Sequence, residues 1–240
     1  MVTYIHNGVV EEESGFKGEI IRRVFHICVG AILIYYFLPG TLIGIYSWVY
    51  IVVLFVALPV CIEIVRLNKR SLFLGLREYE RGRVASYLWF TVGATILIIF
   101  FPQQIAAPCI LATAVGDPAL GVTKKLRRRY TFSLALLLCF LVFLAFRYFL
   151  LVAIFAAGVT FIAQFIEFKV QWRVRRSLFW SRSKHEVSPY QKYFDILFKT
   201  DDDFMMQVVP AVVLFVLFLI RPELIPEPLL EPLEQLMFLK

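Results

Sequence analysis

VASYLWFTVGATILIIFFPQQIAAPCILATAVGDPALGVTKKLRRR, residues 84–129, decides how this chain folds. Two apolar runs, 84–101 and 103–121, are separated only by Pro102-Gln103, with no charge at the turn. The second run passes through Gly116-Asp117 and gives way to Lys124, Lys125, Arg127, Arg128 and Arg129. A helix needs about 20 apolar residues to cross ~30 Å of hydrocarbon. The stretch therefore reads as a helical hairpin that enters and leaves a membrane on one side, with its basic flanks on that side.

The same alternation extends in both directions. Further apolar runs cover 20–38, 42–65, 130–146, 148–167 and 204–220, which makes seven. The links at Pro39-Gly40 and Pro102-Gln103 are uncharged, and Arg147 marks the turn between the fifth and sixth runs. The links 66–83, 124–129 and 168–203 are rich in Lys and Arg. Placing the runs alternately up and down puts 22 of the 25 Lys and Arg on one side, the exceptions being Arg147, Arg221 and Lys240. Basic loops stay cytoplasmic, so the N-terminus is expected inside and the C-terminus on the opposite face. The predicted fold is all-α: a polytopic integral membrane protein of about seven transmembrane helices. A polar segment 1–19 precedes the multi-pass region 20–220, and an acidic, Pro-rich tail 221–240 follows it.

Composition agrees. The chain is 60% apolar with a mean hydropathy of +0.76, more than a soluble core of 240 residues can absorb in runs this long. Residues 1–19 are polar and acidic and no small-residue cleavage site follows the first run, so no cleavable signal peptide is expected. Cys28, Cys61, Cys109 and Cys139 fall one to a run, without zinc spacing, and read as packing residues. The net charge of +7 is accounted for by basic loops facing an anionic leaflet, and no nucleic-acid motif accompanies it. Segment 168–203 interleaves Lys169, Arg173, Arg175 and Arg176 with Trp172, Phe179 and Trp180, a composition that lies in the headgroup plane either as an anchor or as a lid. His6 and His185 read as solvated loop residues.

Ionisable groups gather at the inner ends of the runs. Glu19, Arg22, Arg23 and His26 recur at three- and four-residue spacing and share a helix face. Glu63 and Arg66 are three apart, and Glu80 stands before the third run. Gly116-Asp117 precedes Gly121 and the basic stretch, while Glu167 and the run Asp201, Asp202, Asp203 flank the last large loop. One such charge alone usually snorkels to the headgroups. Five clusters on one face, mixing carboxylates with Lys and Arg, suit a divalent cation and a polyphosphate, because Mg²⁺ takes one or two carboxylates plus phosphate oxygens. Gly116 to Thr123 is not a P-loop, since Val122 stands where the Lys belongs and the context is an apolar run.

These clusters resemble the membrane family of CTP-dependent lipid kinases, which includes dolichol kinase, phytol kinase and CTP-using diacylglycerol kinases and is related to phosphatidate cytidylyltransferases. EIIRRVFH (Glu19 to His26) is similar to its opening Glu, Arg-Lys and His pattern, and EIVR (Glu63 to Arg66) to its E-x-x-R. Glu80 stands where the family has a Glu before the third span. FFPQQIA with VGDPALG (Phe100 to Ala106, Val115 to Gly121) resembles its F-P-x-x-I-A and G-D-x-x-A-x-x-G signature, and DDDF (Asp201 to Phe204) its Asp-Asp-Asn-Leu run.

The resemblance implies transfer of the γ-phosphoryl group of CTP to a long isoprenoid alcohol, a dolichol or polyprenol, at the cytoplasmic face. It implies Mg²⁺ at Asp117 and at Asp201, Asp202 and Asp203, with Lys124, Lys125 and Arg127 on the triphosphate beside Gly116 and Gly121. Arg22, Arg23 and His26 would line the site, and Glu63 and Glu80 would orient basic partners. One family element is missing: no Lys-Ser-x-Glu-Gly-Ser sequence follows the basic stretch, where Arg129-Tyr130-Thr131-Phe132-Ser133 runs straight into apolar residues, and Asp203 replaces an Asn. Two alternatives follow, a cytidylyltransferase that makes a CDP-lipid and a family member without catalysis.

Overall fold

The computed structural model describes residues 3–6, 9–12, 24, 28, 30–42, 45–69, 84–126, 128–163 and 202–229. Of these, 85% are helical, so the fold class is all-α despite two short antiparallel hairpins. The first hairpin pairs β1 (Thr3–His6) with β2 (Val9–Glu12), which places His6 opposite Val9 in a strand and not in a loop. The second pairs β3 (Thr41–Leu42) with β4 (Ile45–Tyr46) just after Pro39-Gly40. Six longer helices are described: α1 (Ser47–Lys69), α2 (Ser86–Phe100), α3 (Gln103–Leu126), α4 (Arg128–Ala145), α5 (Leu150–Ala163) and α6 (Asp202–Ile220).

Several boundaries differ from the apolar runs, each for a local reason. In the run 20–38, the segment Gly30–Phe37 is a 3₁₀ helix that stops just before Pro39, because the residue preceding a proline is pushed out of the helical region. The run 42–65 begins its helix only at Ser47, whose hydroxyl donates to the Pro39 carbonyl, and continues to Lys69. Within α1, Val53–Ala57 widens to a π-turn, closed by the Leu58 N–H on the Val53 carbonyl. Pro59 follows at once; its ring cannot accommodate the carbonyl of Phe55 in a regular α-turn, and the wider turn absorbs the conflict. The basic stretch 124–129 is not a free loop: α3 carries Lys124 and Lys125 to Leu126, and α4 starts at Arg128.

Pro108 lies inside α3 and leaves the Gln104 carbonyl without its helical partner. The Tyr148 hydroxyl supplies one at 2.7 Å, across the α4–α5 turn. That turn is a Schellman motif: Arg147 takes φ 62°, its N–H reaches Leu144 O (2.9 Å), and Tyr148 N–H reaches Phe143 O (3.2 Å). The ring pair Phe143–Tyr148, edge-on at 5.5 Å, is the apolar contact that accompanies such caps.

Packing alternates direction. α2 and α6 run parallel, matched at Trp89–Phe204 and again at Phe101–Phe215. α3 runs against both α4 and α6, and α1 lies along α2. The interior mixes small residues, among them Ala94, Ala106, Ala112 and Ala156, with fully buried Phe90, Leu97, Ile105 and Phe143, whereas Phe100, Leu151 and Leu219 are 71%, 79% and 67% exposed. Large apolar side chains are left exposed on the outward faces of these helices. α1 is long and apolar enough to cross a membrane; α2, Ser133–Ala145, α5 and Phe204–Ile220 are shorter apolar helices.

Candidate functional site

Glu63 and Arg66 sit three apart near the end of α1 and turn inward from a helix that otherwise exposes Ile62, Ile64 and Val65. Arg66 is completely buried, and its Nε and a terminal nitrogen each donate to one Glu63 oxygen at 2.7 Å. A forked pair of this kind is the strongest geometry available to a guanidinium and a carboxylate. Two donors arrive from the start of α2: the Ala85 N–H on Oε1 and the Tyr87 hydroxyl on Oε2, both at 2.7 Å. The Glu63 carboxylate thus accepts four hydrogen bonds. It neutralises Arg66, caps an N–H at the head of α2, and joins helices separated by the segment 70–83. These four hydrogen bonds occupy both carboxylate oxygens.

The second feature lies around Gly116 on α3. A Cβ at that position would meet Cys139 Sγ at 3.1 Å and Met206 Cε at 3.5 Å, so the glycine's missing side chain is used for close approach of α4 and α6. The sequence predicts close approach of a ligand there; the close approach found is between helices. Asp117, the next residue, is half-buried. Met206 lies one helical turn after Asp202, so the Gly116–Met206 contact brings the acidic start of α6 to the part of α3 that carries Asp117.

Both features occupy one end of the bundle. Glu63 meets Ala85 and Tyr87; a turn or so further along α2, Trp89 and Gly93 meet Phe204 and Gln207 of α6. The opposite end holds the links Phe101-Pro102 and Arg147 and the exposed Arg221–Glu223 ion pair, with a cavity of about 490 Å³ lined by Arg147, Glu227, Pro228 and Leu229. Asp202 and Asp203 open α6, and Gly121, Lys124 and Lys125 lie on the last turns of α3. Arg22, Arg23, His26, Glu80, Arg127 and Asp201 lie outside the described residues. Among the described residues, no three of His, Cys, Asp and Glu are grouped closely enough to hold a metal ion.

Sequence reading missed Tyr87, Gly93 and Gln207. Tyr87 carries no pattern that distinguishes it from other aromatic residues near a span end. Gln207 was legible in principle, as a lone amide in the apolar run 204–220. In comparisons with known protein families, curated proteins and solved structures, nothing matches this chain.

Proposed function

We propose that this chain is a multi-pass membrane lipid kinase that transfers the γ-phosphoryl group of CTP to the hydroxyl of a long isoprenoid alcohol at the cytoplasmic face. One observation carries the reading. The segments resembling the kinase signatures, Glu63-x-x-Arg66, Gly116-Asp117 and the start of α6, lie at one end of the bundle although 139 residues separate Glu63 from Asp202. The seven-span topology, N-terminus inside and C-terminus outside, is part of the proposal. It is supported by the length and hydropathy of α1 and by the large apolar side chains exposed on the outer faces of the helices.

Mg²⁺ needs only one or two carboxylates, and support for it comes from the hard oxygen chemistry of Asp117 and of the acidic start of α6, two segments that the Gly116–Met206 contact brings near each other. Asp117 with Asp202 and its neighbours would hold it, and when bound it offsets charge on the phosphates. Lys124 and Lys125, about two turns past Asp117 on α3, would supply positive charge for the triphosphate. Glu63 holds Arg66 in place and sets α1 against α2. The alcohol oxygen attacks the γ-phosphorus, the bond to the β,γ-bridging oxygen breaks, CDP leaves, and the hydroxyl proton passes to solvent or a carboxylate. Catalysis of this kind is positioning and charge stabilisation.

Mass spectrometry of lipids after incubation with CTP, Mg²⁺, polyprenols, diacylglycerol and phosphatidate tests it. Polyprenyl phosphate with CDP is expected. Pyrophosphate with a CDP-lipid would assign the chain to cytidylyl transfer. CTP binding with no lipid product would make it a non-catalytic relative, the reading favoured by the missing Lys-Ser-x-Glu-Gly-Ser element.

A further inference from the structure

Gln207 is completely buried in α6, and none of the sequence motifs accounts for it. Its Nε2 donates a long 3.5 Å hydrogen bond to the Phe90 carbonyl of α2. Its Oε1 is buried with no hydrogen-bond partner among the described residues. A Cβ on Gly93 would lie 2.9 Å from that oxygen and 3.2 Å from Phe204 Cδ2, so Gly93 forms a recess into which the amide and the Phe204 ring seat. Trp89 closes the same contact, meeting Phe204 edge-on at 5.9 Å. An amide with an unpaired oxygen is an unfavourable choice for an apolar helix contact, where a leucine would pack without that cost. What the amide adds is direction: a polar side chain that fits one recess and reaches one carbonyl specifies rotation and depth, whereas leucine slides.

We infer that Gly93 and Gln207 form a lock that sets the rotation and depth of α6, and that they are positioning residues for the acidic start of α6 relative to Asp117. The start of α6 lies one turn before the locked contact, so a shift there carries directly to Asp202. This rests on the reading that Asp117 and Asp202 serve one metal–nucleotide site.

The test uses the full chain in membranes, with the exposed Cys28 and Cys61 changed to Ser and Asp117 and Asp202 changed to Cys, and follows cross-linking by a short bismaleimide. Gly93→Ala is expected to slow cross-linking roughly tenfold by forcing a methyl group against Oε1. Adding Gln207→Ala removes that clash but also the amide, so cross-linking in the double variant is expected to stay slow, as in Gln207→Leu. Gln207→Leu keeps the volume without the amide and guards against a Gly93 variant that does not fold; it too is expected to slow cross-linking. With the acidic pair intact, Gly93→Ala should raise the Mg²⁺ concentration for half-maximal turnover. Unchanged cross-linking in Gly93→Ala or Gln207→Leu, or recovery to the parent rate in the double variant that lacks the amide, would overturn the lock. The expected cross-linking pattern, together with no lipid product from the parent protein whose Asp117 and Asp202 are intact, would support the lock and overturn the kinase reading.

Discussion

Arg66 and Glu63 form a forked ion pair, two N–O contacts of 2.7 Å with both side chains almost fully withdrawn from solvent, on a helix whose neighbouring residues face outward. The pair is not a loose span-end charge. Its carboxylate also receives Ala85 N–H and the Tyr87 hydroxyl, so it is the joint between α1 and α2.

Removing one partner leaves the other charge buried. Arg66→Ala is expected to destabilise the protein by about 3–5 kcal/mol, and Glu63→Leu/Arg66→Met, which removes both charges, by less than Arg66→Ala. Tyr87→Phe deletes one donor to a carboxylate that keeps three others and should cost about 1.5–3 kcal/mol or less. Thermal unfolding in detergent measures all three. An Arg66→Ala protein as stable as the parent would contradict the joint.

Gly116→Ala places a methyl group 3.1 Å from Cys139 Sγ. It should destabilise by about 1–3 kcal/mol, the usual cost of overpacking. Cys139→Ala removes the sulfur and should suppress most of that loss. The same detergent melts, run on both single variants and the double, check the pairing; strict additivity would mean that the two residues do not oppose each other.

Asp117→Asn keeps the shape of the side chain and removes its charge. As part of a metal–phosphate site, losing about 3–4 kcal/mol of stabilisation lowers turnover about 10²–10³-fold. As a charge that only reaches for headgroups, it is neutral or slightly stabilising when removed. CTP-dependent lipid phosphorylation at matched protein levels separates the two. Near-full activity would move the catalytic assignment to the start of α6.

Topology is checked without any assay of function. Single cysteines in 66–83, 124–129 and 168–203 are expected to label from the same face of sealed vesicles as the N-terminal segment, and those in 221–240 from the other. Labelling of 66–83 and 168–203 from different faces would remove the basis of a one-sided site.

The helices themselves were legible in the residues because their causes are local. Apolar runs of sufficient length, broken at Pro102 and Arg147, predict the α2–α3 and α4–α5 turns, and both turns lie where expected. The spacing of Glu63 and Arg66 likewise predicts that they meet. The 3₁₀ form of Gly30–Phe37, the π-turn ahead of Pro59 and the extension of α3 into the basic stretch were not legible from hydropathy. Hydropathy reports burial in an apolar phase, not which carbonyl each N–H reaches.

What the chain determines alone is therefore its apolar segments, their alternation and the clustering of charge at alternate ends. Only the tertiary structure decides what those charges and glycines are for. Tyr87 reaches Glu63 across 24 residues and Gln207 reaches Phe90 across 117, and no local pattern encodes either distance. Gly116 reads in sequence as a place for a ligand and in the fold as a notch for Cys139 and Met206. A missing side chain permits both uses, and which one is taken depends on the surface that a distant helix brings against it.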